Sequence, residues 1–252
     1  MQHFKSHYLN DDYKNTFSNI QKCLRLNDLH EVGDGTHYLT FQMIGFFSFQ
    51  EWSLQQSINF MWLFMSKLNI KPDYVTIHPD KMDEWKFLYS NYDVEIRQDN
   101  ECVWSDGNIS GYCTEFYKNN IEIGNIVNTL GRSIDIGFGL ERLLTVLGMC
   151  ESLSRLNILE QCVLDLIKSD VVVGHNKQGY ILKKLIIDCI LSGSVIEHEF
   201  FRQLKNNMRL SYLNYLKNKS KKKYSDKDNF FWKDTFGIDV EKIDIYEGLI
   251  QE

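Results

Sequence analysis

Apolar positions repeat along this chain with two different periods, and the place where one gives way to the other organises the rest. Over residues 133–147, SIDIGFGLERLLTVL, Ile134 and Ile136 bracket Asp135 with strand spacing, whereas Leu140, Leu143, Leu144 and Leu147 repeat at helical spacing. The period changes inside Gly137-Phe138-Gly139, so a strand is predicted to run into a helix there. Two glycines at such a junction let the backbone take positive φ or approach a ligand closely, and Arg142 falls in the first helical turn beyond them. That arrangement suits an anion, although a lone GxGxER is more often a structural corner.

Upstream, residues 1–22 are polar and yield no complete element. In residues 21–49, Asn27-Asp28 and Gly33-Asp34-Gly35 read as turns, and the aromatic, branched stretch after them suits a strand, so two strands joined by a loop are predicted. Ser53 followed by Gln56 makes a capping box, and Leu54, Ile58, Met61, Trp62, Met65 and Leu68 mark one face of a helix that should pack on the sheet. Residues 74–77 form a short strand ended by His78-Pro79, 81–90 a helix, and Trp104-Ser105-Asp106-Gly107 a turn. Residues 114–117 and 121–123 make a hairpin through Lys118-Asn119-Asn120. After Met149 the texture becomes helical, over about 153–168, 180–192 and 197–216. A basic run at 217–227 reads as a solvated loop, and Phe230-Phe231-Trp232 as a packed end. The predicted organisation is a core over 1–150 and a helical region over 151–252.

Composition narrows the function classes. The 252 residues are 43% apolar and 13% aromatic, globular values for a chain long enough to bury a substantial core. No run approaches ~18 apolar residues and the N-terminus lacks a signal-peptide core, so a soluble, cytoplasmic protein without membrane contact is expected. Six cysteines at scattered positions, with no CxxC spacing, predict reduced structural thiols and no zinc site. The histidines show no paired ligand spacing. A formal net charge of -6 argues against a broad nucleic-acid-binding surface. The sequence contains no GxxxxGK[ST] loop, no GxGxxG after a strand and no GxSxG, which removes the main support for P-loop, Rossmann and serine-hydrolase readings.

Five ordered stretches, taken together, resemble the catalytic core of class II aminoacyl-tRNA synthetases, in the wording of the alanyl-tRNA synthetase family. QKCLRLNDLHEVG is similar to that family's motif 2 region, and TFQMIGFFSF to its FFEMLGNFSF strand. CTEF, IEIGNIV and IDIGFGLERLL resemble CTEI, IEIWNLV and VDTGMGLERL; after these five, beyond the core, GYILKKLI at 179–186 resembles the family's GYVLRRII. The resemblance implies an α+β fold, a class II synthetase-like antiparallel sheet flanked by helices and followed by a helical region. It implies ATP and Mg²⁺ as cofactors and a small amino acid (alanine, serine or glycine) as substrate. In that reading Arg25 clamps the α-phosphate and the carboxylate, Arg142 binds the γ-phosphate with its guanidinium fork, and Phe41 stacks on adenine. Asp135 anchors the substrate ammonium, Trp104 and Asn125 line the amino-acid pocket, and Gly137 and Gly139 keep its floor open.

Four departures bear on the acceptor. The family's GGKH insert is missing between Arg25 and Asn27-Asp28, removing a lysine. Motif 1 is absent apart from a remnant near residues 2–5, Gly124 replaces the tryptophan of EIWN, and the family's tRNA-recognising region does not follow residue 186 in recognisable form. The leading expectation is therefore a stand-alone ligase that forms an aminoacyl-adenylate and passes the acyl group to a carrier protein or small amine, with tRNA a less favoured acceptor. The alternatives are a minimal alanine-tRNA ligase and a non-catalytic amino-acid-binding regulator or partner subunit.

Overall fold

The structure, a computed structural model, describes residues 5–27, 29–150, 153–224 and 227–251, the side chain of Lys223 excepted. The chain divides into two units, Met1–Ser152 and Leu153–Glu252. The first is built on an eight-stranded sheet: β1 (Asn15–Leu24), β2 (Thr40–Phe49), β3 (Tyr74–Ile77), β4 (Glu95–Gln98), β5 (Val103–Asp106), β6 (Ile109–Lys118), β7 (Ile121–Thr129) and β8 (Ser133–Gly139). Its order is β1-β2-β8-β7-β6-β3-β4, with β5 also pairing on β6. Every pairing is antiparallel except β3 with β4, so the predicted antiparallel sheet is present with one parallel pair at its edge, which makes it mixed. The reason is the helix between those strands, α3 (Pro79–Trp85) with a 3-10 turn behind it, because a helical crossover returns the chain in its original direction.

Strand alternation gives the sheet two different faces. On one, Ile44 and Phe46 of β2, Ile126 of β7 and Ile134, Ile136 and Phe138 of β8 pack against α2 (Leu54–Lys67) through Ile58, Met61 and Met65. Each such fully buried side chain contributes about 1.5–3 kcal/mol, so this face holds the helix in place. The Ser53 hydroxyl accepts from the Gln56 amide while the Gln56 side chain accepts from the Ser53 amide at 2.8 Å, closing the predicted capping box. The opposite face can be read across the strands in register. One row runs Asn19, Gly45, Gly137, Asn125, Glu115, Thr76; the next runs Phe17, Phe47, Asp135, Val127, Cys113.

The segment that yielded no element from sequence holds α1 (Lys5–Leu9) and most of β1. Trp104 lies on β5 and not in a turn; the turn comes at Gly107, whose φ is 66°. The β6–β7 hairpin turns through Asn119 and Asn120 with φ of 54° and 61°, the left-handed pair that such a two-residue turn demands. The predicted strand-to-helix junction is the end of β8 and the start of α4 (Leu140–Val146).

The second unit consists, among its described residues, of α5 (Arg155–Lys168), α6 (Lys177–Leu191), α7 (Glu199–Asn218), α8 (Asn229–Phe236) and α9 (Ile243–Gln251). Ser154 and Asp228 cap α5 and α8, and Gly237 ends α8 in the left-handed conformation. The basic run begins inside α7, which extends to Asn218, and continues into a short 3-10 turn. In the aromatic cluster Trp232 is buried against Tyr215, whereas Phe230 is exposed. No helix among the described residues is long and apolar enough to cross a membrane.

Candidate active site

A cleft opens on the sheet face that α2 does not cover. Arg25, Phe41, Asn125, Gly137, Gly139 and Arg142 all line it. The fold explains how positions so distant in sequence converge. Arg25 follows β1, and its amide donates to the Leu39 carbonyl at 2.9 Å, which closes the intervening loop at the mouth of the cleft. Phe41 sits on β2, and Met43, two residues on and so on the same face, also lines the cleft. Asn125 and Gly137 are register partners on β7 and β8.

The glycines serve close approach and not unusual backbone geometry. Gly139 is extended, with φ -75° and ψ 113°, and Gly137 is not among the positive-φ residues. A Cβ on Gly137 would stand 3.0 Å from Met43 Cε and 3.3 Å from Asn125 Oδ1, so a side chain there would fill the floor of the cleft.

The electrostatics include partners that sequence reasoning did not find. Arg142 Nη1 pairs with Glu122 Oε2 at 2.6 Å and also donates to the Glu122 carbonyl, while its Nε donates to the Thr36 carbonyl. Glu141, beside Arg142 on α4, accepts the Gln42 amide with both carboxylate oxygens at 3.0 Å. At the cleft mouth His37 Nδ1 lies 2.6 Å from Asp34 Oδ2 and His37 Nε2 lies 3.1 Å from Glu31 Oε2. Against the upward push of burial, donors from Thr36 and His37 hold the Asp34 carboxyl well below the ordinary carboxylate range. Strand alternation from Phe41 could have found Met43; Glu122 needed knowledge of which strand follows which.

Asp135 and Trp104 are not among the residues lining the cleft. Asp135 shares a sheet face with Gly137 and Gly139 by alternation, but it is buried, and the Tyr8 hydroxyl of α1 donates to its Oδ2 at 3.4 Å. Burial pushes its carboxyl up to about 7, partly offset by that hydroxyl. Trp104 packs against the Tyr8, Phe47, Phe49 and Ile109 cluster on one side and against Cys102, Cys113 and Val127 on the other.

Comparison with known proteins bears on the family. The class II (A) tRNA synthetase family model matches residues 1–116. An alanine–tRNA ligase of Chlamydia trachomatis serovar D is 24% identical over 339 aligned positions, covering 88% of this chain and 39% of that protein. The corresponding ligase of Ehrlichia ruminantium is 34% identical over 134 residues, covering 46% of this chain and 15% of that protein. Residues 1–116 are thus similar to class II synthetases, and the chain is similar in sequence to alanine–tRNA ligases. It spans well under half the length of either relative. Among solved structures, the apo histidyl-tRNA synthetase of S. aureus aligns with 83% of this chain and 66% of its own at a TM-score of 0.39 and 11% identity.

In this synthetase-like core the family tryptophan replaced by Gly124 would not point into open cleft. A Cβ there would meet Phe138 Cδ1 at 2.7 Å and the Gly137 carbonyl at 2.8 Å, so the Phe138 ring occupies the space and only the Gly124 backbone borders the cleft. The motif 1 remnant at residues 2–5 lies mostly outside the described residues, as does Asp28 of the motif 2 loop.

Proposed function

We propose that the chain activates a small amino acid with ATP. The substrate carboxylate attacks the α-phosphorus, an acyl–phosphate bond forms, the bond to the bridging oxygen breaks, and pyrophosphate leaves. The observation that carries this reading is the convergence of Arg25, Phe41 and Arg142, from three separate sequence motifs, on one cleft. Two guanidinium groups offer charge-assisted, forked hydrogen bonds to phosphate oxygens, where negative charge must be stabilised. Phe41 offers a face for the adenine ring, and the bare floor at Gly137 and Gly139 lets a substrate approach the backbone.

The donor set of the cleft also fits Mg²⁺, a hard cation that takes carboxylate oxygens. Glu122 and Glu141 would hold it, and when bound it neutralises charge on the phosphates. Asp135 is the carboxylate we assign to the substrate ammonium; reaching it requires the Tyr8 hydroxyl to give way. The scattered cysteine positions fit the reducing, cytoplasmic setting of this reading. In the same reading the core is the adenylating part, over residues 1–150, and the helical region over 151–252 is accessory.

For the acceptor we favour a carrier-protein thiol or a small amine over tRNA, because the loop at the cleft mouth, residues 26–39, contains no lysine or arginine and presents Glu31 and Asp34. A tRNA end would need cations there. Amino-acid-dependent exchange of labelled pyrophosphate into ATP tests the activation step. Exchange with alanine, serine or glycine supports it. Its absence with every proteinogenic amino acid leaves the regulator reading in place.

A further inference from the structure

We propose that Cys102, Cys113 and Glu115 bind a zinc-class divalent cation on the sheet face opposite α2. Sequence spacing gives no hint of this, because the pairing of strands, not proximity in the chain, brings the two thiols together. The outer edge of β6 is shared: β3 pairs with its residues Thr114 to Tyr117, and β5 with Ile109 to Tyr112. Cys113 falls at the seam between them, and its amide donates to the Cys102 carbonyl at 2.9 Å, which sets the two cysteines side by side.

Glu115, two residues along β6 and therefore on the same face, completes the group. One ligand atom from each of the three lies within 4.8 Å of the other two. With metal–sulfur bonds near ~2.3 Å and metal–oxygen bonds near ~2.0–2.2 Å, an ion can reach all three after small side-chain adjustments. Two soft thiolates and one carboxylate are a zinc-class donor set and a poor one for Mg²⁺ or Ca²⁺.

The partners that orient such ligands are already present. Thr76 Oγ1 stands 3.0 Å from Cys102 Sγ, and the Tyr117 hydroxyl donates to Glu115 Oε2 at 2.8 Å. With the ion bound, the Thr76 hydroxyl would donate to the Cys102 thiolate, while Tyr117 already fixes the free carboxylate oxygen. Cys102 and Cys113 are buried, and Trp104 packs over them together with Val127. Burial concentrates the donors away from water, and the thiols release their protons as the ion binds. Three protein ligands leave one position of a tetrahedron for water or an outside ligand. Glu115 is the register partner of Asn125, so the ion would sit one strand beyond the cleft.

The test needs no catalytic activity. The full chain is stripped with a chelator, reloaded with Zn²⁺ or Co²⁺, dialysed, and measured for metal content and absorption. The expected result is about one ion per chain and, for Co²⁺, a thiolate-to-metal charge-transfer band with the visible spectrum of a tetrahedral site. Cys102→Ser and Cys113→Ser should each lose much of that band, while Cys189→Ser, in the helical unit, keeps it. Thr76→Val should weaken binding roughly 10–100-fold through loss of an outer partner. Background metal in folded wild-type protein overturns the proposal, and so does an unchanged spectrum in both cysteine variants. So does a Cys102–Cys113 disulfide found by mass spectrometry in freshly purified protein. If circular dichroism shows that the cysteine variants fail to fold, the wild-type Co²⁺ spectrum decides: no charge-transfer band, no site.

Discussion

Arg142 Nη1 lies 2.6 Å from Glu122 Oε2, so the cation assigned to a phosphate in the proposed reaction is held by a carboxylate of the same cleft. Both side chains are largely shielded, at 22% and 26% exposure, which strengthens the pair relative to one in open water. A triphosphate must therefore displace Glu122 from Arg142, and the planar fork matters to that exchange. Arg142→Lys keeps the charge and loses the fork. We expect it to raise the ATP requirement in pyrophosphate exchange by roughly 10–100-fold, the equivalent of about one charge-assisted hydrogen bond, and to leave the amino-acid requirement unchanged. An equal rise in both would remove Arg142 from the phosphate role.

Asp135 leads to two measurements. In exchange assays Asp135→Asn should raise the amino-acid requirement far more than the ATP requirement, since a desolvated ammonium loses its charged acceptor, at a cost on the order of 2–5 kcal/mol. Its titration also predicts how stability depends on pH. The folded chain keeps a proton on Asp135 until about pH 7, whereas the ordinary value is 3.8, so between those values the folded state binds more protons than the unfolded one. Stability then falls as pH rises through that window. Thermal melting of the ligand-free protein from pH 5 to pH 7.5 should show the decline, and Asp135→Asn should make it shallower, leaving the part contributed by Glu115, whose carboxyl is also pushed up by burial to about 7. A decline in the variant as steep as in the unmodified chain would assign the pH dependence to Glu115 and other groups.

At Gly124 the tight contact with Phe138 and the Gly137 carbonyl predicts a strained Gly124→Ala variant. Overpacking of this kind costs about 1–3 kcal/mol, read as a lower denaturation midpoint in urea. Phe138→Leu should lower stability by itself yet relieve part of the Gly124→Ala penalty when the two are combined. Strict additivity in that cycle would mean that the ring is not what Gly124 accommodates.

The β8-to-α4 junction was legible because both periods are strong and meet within three residues, and α2 because Ser53 and Gln56 mark its start. By contrast β1 is an edge strand whose outer face leaves Ile20 65% exposed, so its alternation is diluted by solvent-facing residues. Turn-forming letters around Ser105-Asp106-Gly107 masked β5, which exists through its pairing with β6. Arg25, Phe41, Asn125, Gly137, Gly139 and Arg142, named from their motifs, line the cleft, whereas Asp135 and Trp104, named the same way, do not, and what holds the lining residues was not legible. Glu122 reaches Arg142 only once β7 and α4 are in place, and Tyr8 reaches Asp135 across 127 positions. The Cys102, Cys113 and Glu115 group was invisible for the same reason: its geometry is a product of register.

The acceptor separates the proposed ligase from a tRNA synthetase most sharply. Binding a tRNA requires cations along its phosphates, and affinity resting on such contacts falls steeply with salt. In this chain the cleft-mouth loop has no lysine or arginine, and its His37 is engaged by Asp34 and Glu31. The one dense basic run, at residues 217–223, belongs to the other unit. Incubation with ATP and labelled amino acid, with total tRNA, carrier proteins and small amines offered in parallel, should leave label on the enzyme as adenylate until a thiol or amine is supplied. Replacing Glu31 and Asp34 with lysine should then strengthen tRNA retention at low salt without improving transfer to a thiol. Rapid, specific transfer of label to tRNA by the unmodified chain would reverse the assignment, because the acidic loop would then not exclude the acceptor end.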